Sequence, residues 1–407
     1  MRLYLIAGEA SGDLHGSNLL KALYAQQPSL SCRAWGGDLM QNVGATLVKH
    51  YRELAFMGFV EVAKNIRTIL QNITFCKRDI LEFKPDALVL IDYPGFNLRI
   101  AKWAKAQGIP VVYYISPQLW AWHASRAHAI RRDVDKLLVI LPFEKDFFRQ
   151  YGIEAEFVGH PLLDEIGGLV TGGSVSGGSV IGDSFPITNH QSTIPPLTNP
   201  PLTSPPITNH QSTNHQSTNQ PINQIALLPG SRKQEVSRIL PRMLEVVEDF
   251  PAYQFVIAGA TSLPEAYYQP YLKKHPNIRL VRGQTYEVLL QSKAALVKSG
   301  TSTLETALLD VPQVVCYAGN WLSYRIAKQL IKVKYISLVN LIMDRPMVRE
   351  LIQDELNREN LKAALGEILT PEKSAELKAG YAALRKRLGD GGASQRAAAA
   401  ILNMMQP

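Results

Sequence analysis

The chain has 407 residues, of which 46% are hydrophobic, and it carries 43 Lys and Arg against 35 Asp and Glu. At about 100–200 residues per domain this length corresponds to two or more domains, and the absence of any uncharged apolar run of about 18 residues excludes a transmembrane helix. No signal-peptide pattern precedes the first strand, and three widely spaced Cys support neither a disulfide framework nor a Cys-based zinc site, so we expect a cytoplasmic protein.

In the first part of the chain, apolar runs typical of buried strands alternate with helical periodicity. The strand patterns are Leu3–Ala7, Ala87–Ile91, Val111–Ile115 and Leu137–Leu141. Strands that are almost entirely apolar and separated by helices indicate a parallel sheet covered on both faces. Ligands bind beyond the carboxyl ends of such strands, so the loops there are the candidate sites.

The loop after the first strand reads GEASGD from Gly8 to Asp13. Its small residues would let a ligand approach the backbone, and the helix that follows presents free N–H groups. The spacing is not G-x-G-x-x-G, so a dinucleotide fingerprint is not supported. A plain strand-to-helix turn with Asp13 as the N-cap fits the loop equally well.

A helical stripe of apolar residues follows, with positive charge on or beside the opposite face from Lys64, Arg67, Lys77 and Arg78. This pattern is typical of an amphipathic helix at a membrane surface, although a helix that buries its stripe in the core has the same periodicity. The stripe residues are Phe59, Val62, Ala63, Ile66, Ile69, Leu70 and Ile73.

Asp92 lies directly after the strand Ala87–Ile91. A carboxylate at the mouth of a sheet, among apolar neighbours, can have its pKa raised toward the working pH and serve as a general base. The alternative is that Asp92 caps the next helix. After the following strand, Trp120 and Trp122 either stack on a sugar or pack in the core.

Residues 167–223 differ in composition from the rest of the chain. They contain one charged residue, Asp183, and repeat the sequence ITNHQST at Ile187 and Ile207. The apolar residues are too few and too irregular to bury a core, so the segment is predicted to be a disordered insertion.

The second part of the chain repeats the alternating pattern, with strand-like runs at Ile225–Leu228, Phe255–Ala258, Ala294–Lys298 and Val314–Tyr317. We therefore predict an α/β protein with two Rossmann-like parallel-sheet domains that face a cleft. The predicted boundaries are 1–166 for the first domain, 167–223 for the insertion, 224–385 for the second domain and 386–407 for a C-terminal helix.

Two loops of the second part resemble phosphate and nucleotide sites. Gly230, Ser231 and Arg232 follow a strand and precede a helix, an arrangement that suits a diphosphate. Ser299, Gly300 and Thr301 repeat it after another strand, with Glu305 one helical turn further on, where a carboxylate could bind both ribose hydroxyls. Neither loop is a Walker A sequence.

Positive charge concentrates between Arg325 and Arg349, where six basic residues accompany only Asp344. Such a cluster suits a phosphate-bearing partner such as a nucleotide, an anionic lipid or nucleic acid, and a solvated helix face fits it too. Nucleic acid is disfavoured because no recognisable reading motif is present.

Taken together, the loop sequences GEASGDLHG, MGFVEV, PDALVLIDYPGFN, SPQLWAW, LPFEK, VGHPL, LLPGSR, SGTSTLE and SLVNL occur in one order. In that order they resemble the lipid-A-disaccharide synthases over residues 1 to about 165 and 224 to about 390. The resemblance implies a glycosyltransferase B fold. It also implies an inverting transfer from UDP-2,3-diacylglucosamine to 2,3-diacylglucosamine 1-phosphate, with a β-1,6 linkage, release of UDP and no metal or other cofactor.

The same resemblance implies roles for individual residues. Asp92 matches the family's essential carboxylate and would be the base on the acceptor 6-hydroxyl, with Glu9 and Ser11 facing the acceptor or the reacting carbon. The donor UDP would be bound by Gly230, Ser231, Arg232, Ser299, Gly300, Thr301, Glu305 and Asn340. Acyl chains or the membrane would contact Phe59, Val62, Ile66, Ile69, Leu70 and Ile73.

The acylated substrates imply peripheral association with an anionic inner-membrane surface, and assembly as a homodimer is left open. The chain departs from the family at Gly95, where a second carboxylate is common, and in the insertion. The alternative within the fold is another UDP-N-acetylglucosamine transferase or an epimerase.

Overall fold

The computed structural model describes residues 1–54, 66–120, 126–171, 223–275, 277–319 and 334–406. Within them the chain forms two parallel β-sheets covered by helices, which confirms the predicted fold class. The first sheet has seven strands in the order β3-β2-β1-β4-β5-β6-β7, and the second has six in the order β10-β9-β8-β11-β12-β13. In both sheets the order reverses beside the first strand, between β1 and β4 and between β8 and β11.

The elements of the first sheet alternate along the chain as the apolar pattern predicts. Its strands are β1 Arg2–Ala7, β2 Ser31–Gly36, β3 Thr46–His50, β4 Ala87–Ile91, β5 Val111–Tyr114, β6 Lys136–Val139 and β7 Ala155–Phe157. The accompanying helices are α1 Ala10–Gln26, α2 Asp38–Asn42, α3 Ile66–Phe83, α4 Pro94–Ala106, α5 Ala127–Asp133, α6 Glu144–Arg149 and α7 Leu162–Thr171.

The second sheet repeats this plan. Its strands are β8 Gln224–Leu228, β9 Gln254–Gly259, β10 Arg279–Arg282, β11 Ser292–Lys298, β12 Gln313–Tyr317 and β13 Arg349–Ile352. The described helices are α8 Lys233–Leu244, α9 Gln269–Lys274, α10 Thr285–Leu290, α11 Thr301–Leu308, α12 Leu338–Met343, α13 Arg358–Ile368, α14 Pro371–Leu388 and α15 Ala393–Met404.

The side-chain alternation along β1 shows why its sequence is apolar from Leu3 to Ala7. Leu3, Leu5 and Ala7 belong to the core on one face of the first sheet, while Tyr4 and Ile6 belong to the core on the other. All five are fully buried. Because successive residues of a strand point to opposite faces, a strand covered on both faces has no polar positions.

The strands that the sequence pattern misses include all four strands at the sheet edges. β3, β7, β10 and β13 are short and consist largely of half-buried or exposed residues. An edge strand has one neighbour and a partly solvated surface, so its sequence mixes polar and apolar residues and lacks a continuous apolar run. The apolar pattern does not predict β2 either.

The first residues of the predicted insertion are helical. Helix α7 runs to Thr171, so residues 167–171, which we assigned to the disordered insertion, are helical. Two glycines in this stretch resemble loop residues, but they lie inside a helix that starts before the compositional change. The rest of the insertion to residue 222 lies outside the described residues.

The last helix returns to the first sheet. α15 packs against α1, and Ala397 and Ile401 belong to the same core as Leu3 and Leu5. Asp164 of α7 accepts hydrogen bonds from the backbone N–H groups of Gly392, Ala393 and Ser394 at the start of α15. A carboxylate satisfies unpaired N–H groups and favours the positive end of a helix, so Asp164 fixes where α15 begins.

No helix among the described residues is long and apolar enough to cross a membrane.

Candidate functional site

The strand register brings the two predicted loops of the first sheet together. Ala7 at the end of β1 lies opposite Ile91 at the end of β4, so Gly8 and Glu9 are adjacent to Asp92 and Tyr93. A Cβ atom built on Gly8 would lie 2.3 Å from the ring of Tyr93. Gly8 is therefore needed for the contact between the two loops, and the space that we predicted for a ligand at this glycine is filled by Tyr93.

Asp13 caps a helix, but not the one that the sequence suggested. It lies inside α1, and its carboxylate accepts hydrogen bonds from the N–H groups of Gly37, Leu39 and Met40 at distances of 2.7–3.1 Å. These groups belong to the start of α2, which follows β2. The N-cap hypothesis for α1 is wrong because the N-cap position of that helix is Glu9.

Asp92 stands at the mouth of β4 in an uncommon backbone conformation. Its φ is 44° and that of Tyr93 is 49°, both in the left-handed region that glycine favours. Burial is the main cause that raises the pKa of Asp92, to about 7, and the negative charge of Glu9 adds to it. A carboxyl with this pKa can accept a proton near neutral pH. The N-cap position of α4 is Tyr93, and no side chain caps that helix.

Glu9 and Ser11 lie on the same side of the first sheet. Ser11 is exposed in the first turn of α1. Both carboxylate oxygens of Glu9 lie 3.3 Å from Nη2 of Arg232, which belongs to the second sheet's part of the chain. Burial raises the pKa of Glu9, and the charges of Arg232 and Lys298 act against that rise. The predicted acceptor side and donor side therefore meet at one ion pair.

The loop Gly230 to Arg232, which we predicted to bind a diphosphate, follows β8, the strand of the second sheet that corresponds to β1. Leu228 of β8 lies opposite Val297 of β11, which brings Gly230 beside Lys298. Gly230 has φ +108°, and a Cβ there would meet a carboxylate oxygen of Glu235 at 2.5 Å. Glu235 accepts a hydrogen bond from the N–H of Ser231 at 3.1 Å and pairs with Lys298 at 2.9 Å.

Arg232, Glu235 and Lys298 thus form one charged cluster, in which Arg232 Nη1 lies 3.7 Å from Glu235. Sequence reasoning did not assign Lys298 to the site, although it directly precedes the predicted loop Ser299–Thr301. Lys298 and Arg232 together supply two positive charges where a diphosphate is predicted to bind.

The nucleotide loop after β11 is only partly accessible. Ser299 is buried, and its hydroxyl donates to the carbonyl of Ile336 at 2.8 Å. Gly300 is the N-cap of α11, with φ 153°, and Thr301 is exposed. Contact between the Ser299 hydroxyl and the donor stays a prediction, since that group already has a protein partner.

Glu305 lies in α11, where the Tyr286 hydroxyl donates to its Oε1 at 3.3 Å. Burial raises the pKa of Glu305, and the nearby Glu165 adds to that rise. Tyr286 was not identified from the sequence, because it comes from a separate helix, α10.

Asn340 is buried, and its side chain forms hydrogen bonds within the protein. Its amide donates to the carbonyl of Val348 at 2.8 Å and to Glu350 at 2.9 Å, and its oxygen accepts from the N–H of Val348. These bonds hold the chain between α12 and β13. A direct contact with the donor stays a prediction, and the geometry gives Asn340 a supporting role.

The residues of the predicted apolar stripe differ in burial in the structure. Ile73 lies in the core with Cys76 and Ile80, so it faces away from solvent. Leu70 is 55% exposed, and Ile69 is partly buried. Phe59 and Val62 lie outside the described residues, as does the side chain of Ile66.

Glu144 is a buried carboxyl that sequence reasoning did not single out. It accepts hydrogen bonds from the Ser116 hydroxyl at 2.6 Å and from the N–H of Leu141 at 2.9 Å, and Trp120 Nε1 lies 3.4 Å away. Burial raises its pKa to about 7. Glu144 holds the loop after β5, where Trp120 packs on Phe143. Trp122 lies outside the described residues.

Within the described ranges no three His, Cys, Asp or Glu side chains come close enough together to hold a metal ion.

Solved structures with the same architecture include the UDP-GlcNAc 2-epimerase from Neisseria meningitidis bound to UDP-GlcNAc. Its TM-score is 0.62 at 13% identity, with 99% of this chain and 100% of that chain covered. The glycotransferase of kitacinnamycin also has a TM-score of 0.62 at 13% identity and covers 100% of this chain and 99% of its own. At this identity the likeness shows the fold alone, and it confirms the glycosyltransferase B type.

Sequence comparison identifies the family. The family model for lipid-A-disaccharide synthetase matches residues 3–169 and 196–403. The lipid-A-disaccharide synthase of Syntrophus aciditrophicus is 37% identical over 409 residues, 99% of this chain and 97% of the relative. That of Geobacter metallireducens is 36% identical over 411 residues, with 99% and 97% covered. The chain therefore belongs to the lipid-A-disaccharide synthase family.

Proposed function

We propose that this protein transfers the diacylglucosamine of UDP-2,3-diacylglucosamine to 2,3-diacylglucosamine 1-phosphate, which gives the β-1,6-linked lipid A disaccharide 1-phosphate and UDP. Family membership supports the reaction. The observation that carries the site assignment is the 3.3 Å contact between Glu9 and Arg232. It pairs one carboxylate of the first sheet's part of the chain with a positive charge of the second sheet's part, which supports one shared site.

Asp92 is the general base in this proposal. The oxygen of the acceptor 6-hydroxyl attacks the anomeric carbon of the donor, and its proton passes to the Asp92 carboxylate. The bond between that carbon and the diphosphate oxygen breaks, and its electron pair leaves with UDP. Attack from the face opposite the leaving group inverts the anomeric configuration. A carboxyl with a pKa of about 7 suits this step, because it is both ionised and basic near neutral pH.

Arg232 and Lys298 stabilise the leaving diphosphate. Charge develops on the diphosphate oxygen as the bond breaks, and fixed positive groups at that point lower the barrier. Arg232 pairs with Glu9, and both side chains are partly exposed. Exposed pairs contribute about 0–1 kcal/mol, so a diphosphate with more than one negative charge can replace Glu9 on Arg232.

The remaining predicted residues complete the donor site. The diphosphate would contact the loops that contain Gly230, Ser231 and Thr301. Glu305, which accepts a hydrogen bond from Tyr286, would bind the ribose hydroxyls. Ser299, Gly300 and Asn340 also belong to the donor site in this proposal, with Ser299 and Asn340 held by hydrogen bonds to the carbonyls of Ile336 and Val348. The reaction then needs no metal, since Arg232 and Lys298 provide the positive charge.

Peripheral binding to the anionic face of the inner membrane completes the proposal. Leu70 and Leu81 of α3 are 55% and 50% exposed. They lie eleven residues apart, which is about three helical turns, so they share one side of the helix. Arg78 is close to this side. Exposed apolar residues beside positive charge suit an anionic lipid surface on which both acylated substrates reside.

Asp92→Asn is expected to lower turnover by roughly 10²- to 10⁴-fold while UDP binding stays near that of the parent. Mass spectrometry of the disaccharide product measures the first and calorimetry with UDP the second. The fold raises the pKa of Asp92 from its ordinary value of 3.8 to about 7. Ionised Asp92 therefore destabilises the folded protein increasingly as the pH rises through this range. The Asn variant should therefore melt no lower than the parent at pH 8. Parent-like turnover would remove Asp92 from the mechanism.

Glu9→Gln is expected to move the acid limb of the kcat/KM profile to lower pH. Activity requires ionised Asp92, and the charge of Glu9 is one of two causes that raise the pKa of Asp92. Removing that charge lowers the pKa, so activity persists further into acid. Glu53→Gln, at an exposed carboxylate away from the site, is the matched control. An acid limb that stays in place would show that Glu9 does not act on Asp92.

Arg232→Ala is expected to weaken UDP binding by roughly 10- to 100-fold, the usual size of a lost hydrogen bond to a charged group. Arg238→Ala changes an exposed arginine inside α8 and should leave the Kd unchanged. Isothermal calorimetry with UDP compares the two variants. Equal dissociation constants would place the diphosphate elsewhere.

Leu70→Glu is expected to reduce flotation with vesicles that contain anionic lipid, because a carboxylate replaces an exposed apolar contact and opposes the surface charge. Leu290→Glu changes a leucine that is 44% exposed in the other half of the chain and serves as the control. Flotation at low and at high salt separates the electrostatic attraction, which salt weakens, from the apolar contact. If the parent fails to float at any salt, α3 is a surface helix without a membrane role.

A further inference from the structure

The turn that carries Asp92 is strained. Asp92 and Tyr93 both adopt left-handed backbone conformations, with φ of 44° and 49°, and Tyr93 has ψ of 53°. Residues with a side chain seldom occupy this region, and two in succession need surroundings that prevent them from relaxing. Glycine, which would adopt this backbone freely, is absent from both positions.

Two buried side chains bind the carbonyl of this turn. Nδ2 of Asn97 donates to the Asp92 carbonyl at 2.8 Å. The hydroxyl of Tyr113 donates to the same oxygen at 2.6 Å. Asn97 lies in α4 and Tyr113 in β5, and neither has any exposed surface. The carbonyl of Asp92 is therefore held from two elements at once.

The amide of Asn97 also ties the turn to the sheet. The carbonyls of Ile6 in β1 and Ile91 in β4 each lie 3.3 Å from its Nδ2. On the other side, the N–H of Asp92 lies 3.3 Å from the carbonyls of Tyr114 and Ile115. The strained residue thus has its N–H and its carbonyl both bound, between two neighbouring strands and the helix that follows it.

Ordinary satisfaction of buried polar groups accounts for part of this pattern, since buried amides and carbonyls need partners. It does not account for where the bonds meet. Two independent donors converge on one carbonyl, in the one residue of the turn whose side chain has a proposed chemical role. A strained backbone at such a position is typical of a functional site held by its surroundings.

We propose that Asn97 and Tyr113 are positioning residues for the transfer reaction, which hold the Asp92–Tyr93 turn so that the Asp92 carboxylate meets the acceptor hydroxyl. The inference rests on the proposed role of Asp92 as the base. Proton transfer requires the carboxylate within about 2.6–3.2 Å of the hydroxyl oxygen. If either donor is lost, the turn can relax toward an unstrained conformation, and the carboxylate leaves that distance.

Tyr113→Phe is the sharper test, because it removes one hydroxyl and keeps the ring in the core. We expect kcat to fall about 10- to 100-fold, with the KM of each substrate within about twofold of the parent, since a displaced base slows the chemical step without changing binding. Asn97→Ser, measured alongside, should lower kcat in the same way. The double variant should lose less than the product of the two single losses, because both donors hold one carbonyl.

Tyr114→Phe is the matched control. Tyr114 is the next residue of β5, it is equally buried, and its side chain lies in the core on the opposite face of the sheet. This variant should keep the kcat and KM of the parent. Thermal melting and calorimetry with UDP identify variants that have lost the fold, and Tyr113→Phe decides alone if Asn97→Ser does not fold.

A folded Tyr113→Phe protein with the kcat of the parent would overturn the inference. The base assignment fails by a different result, namely parent-like turnover in Asp92→Asn. If Asp92→Asn is inactive and Tyr113→Phe is not slowed, Asp92 remains the base and needs no help from Tyr113. The two proposals can therefore fail separately.

Discussion

The site depends on the reversal of strand order in each sheet. Strands after β1 continue in one direction and return on its other side at β4, and β8 and β11 repeat this arrangement. At the reversal the two connecting loops run to opposite sides, so a crevice opens beyond the strand ends. Glu9 and Asp92 stand at the first crevice, and Arg232 and Lys298 at the second. The same feature of topology thus puts Glu9 and Asp92 at the strand ends of one sheet, and Arg232 and Lys298 at those of the other.

Charge and burial give the carboxyl groups of Asp92 and Glu235 different pKa values. Burial raises the pKa of Asp92, and the neighbouring charge of Glu9 adds to that rise. Glu235 lies against Lys298 and Arg232, and their charges lower its pKa despite its partial burial. These two carboxyls therefore differ in character: Asp92 can take up a proton near neutral pH, and Glu235 stays ionised beside the basic groups.

Glycines in the motif loops mostly serve packing inside the protein. Gly8 accommodates the ring of Tyr93, and Gly230 lies against Glu235. From the sequence, small residues after a strand indicate close approach of a ligand, but in these two cases side chains of the chain itself occupy that space. The loops are consequently held in place before a substrate arrives, which reduces the ordering needed on binding.

The central strands, the two-sheet architecture and the loops that carry Asp92, Arg232 and Glu305 could be predicted from the sequence, because buried parallel strands leave a continuous apolar signal and ligands of such sheets bind beyond the strand ends. The sequence did not predict the edge strands, the helix capped by Asp13 or the end of α7. It also did not predict that Lys298 pairs with Glu235, that Tyr286 contacts Glu305 or that Asn97 and Tyr113 bind the Asp92 carbonyl, nor that Ile73 packs in the core. These depend on contacts between residues far apart in the chain, and only the tertiary structure, which sets strand register and the packing of helices on the sheets, brings such residues together.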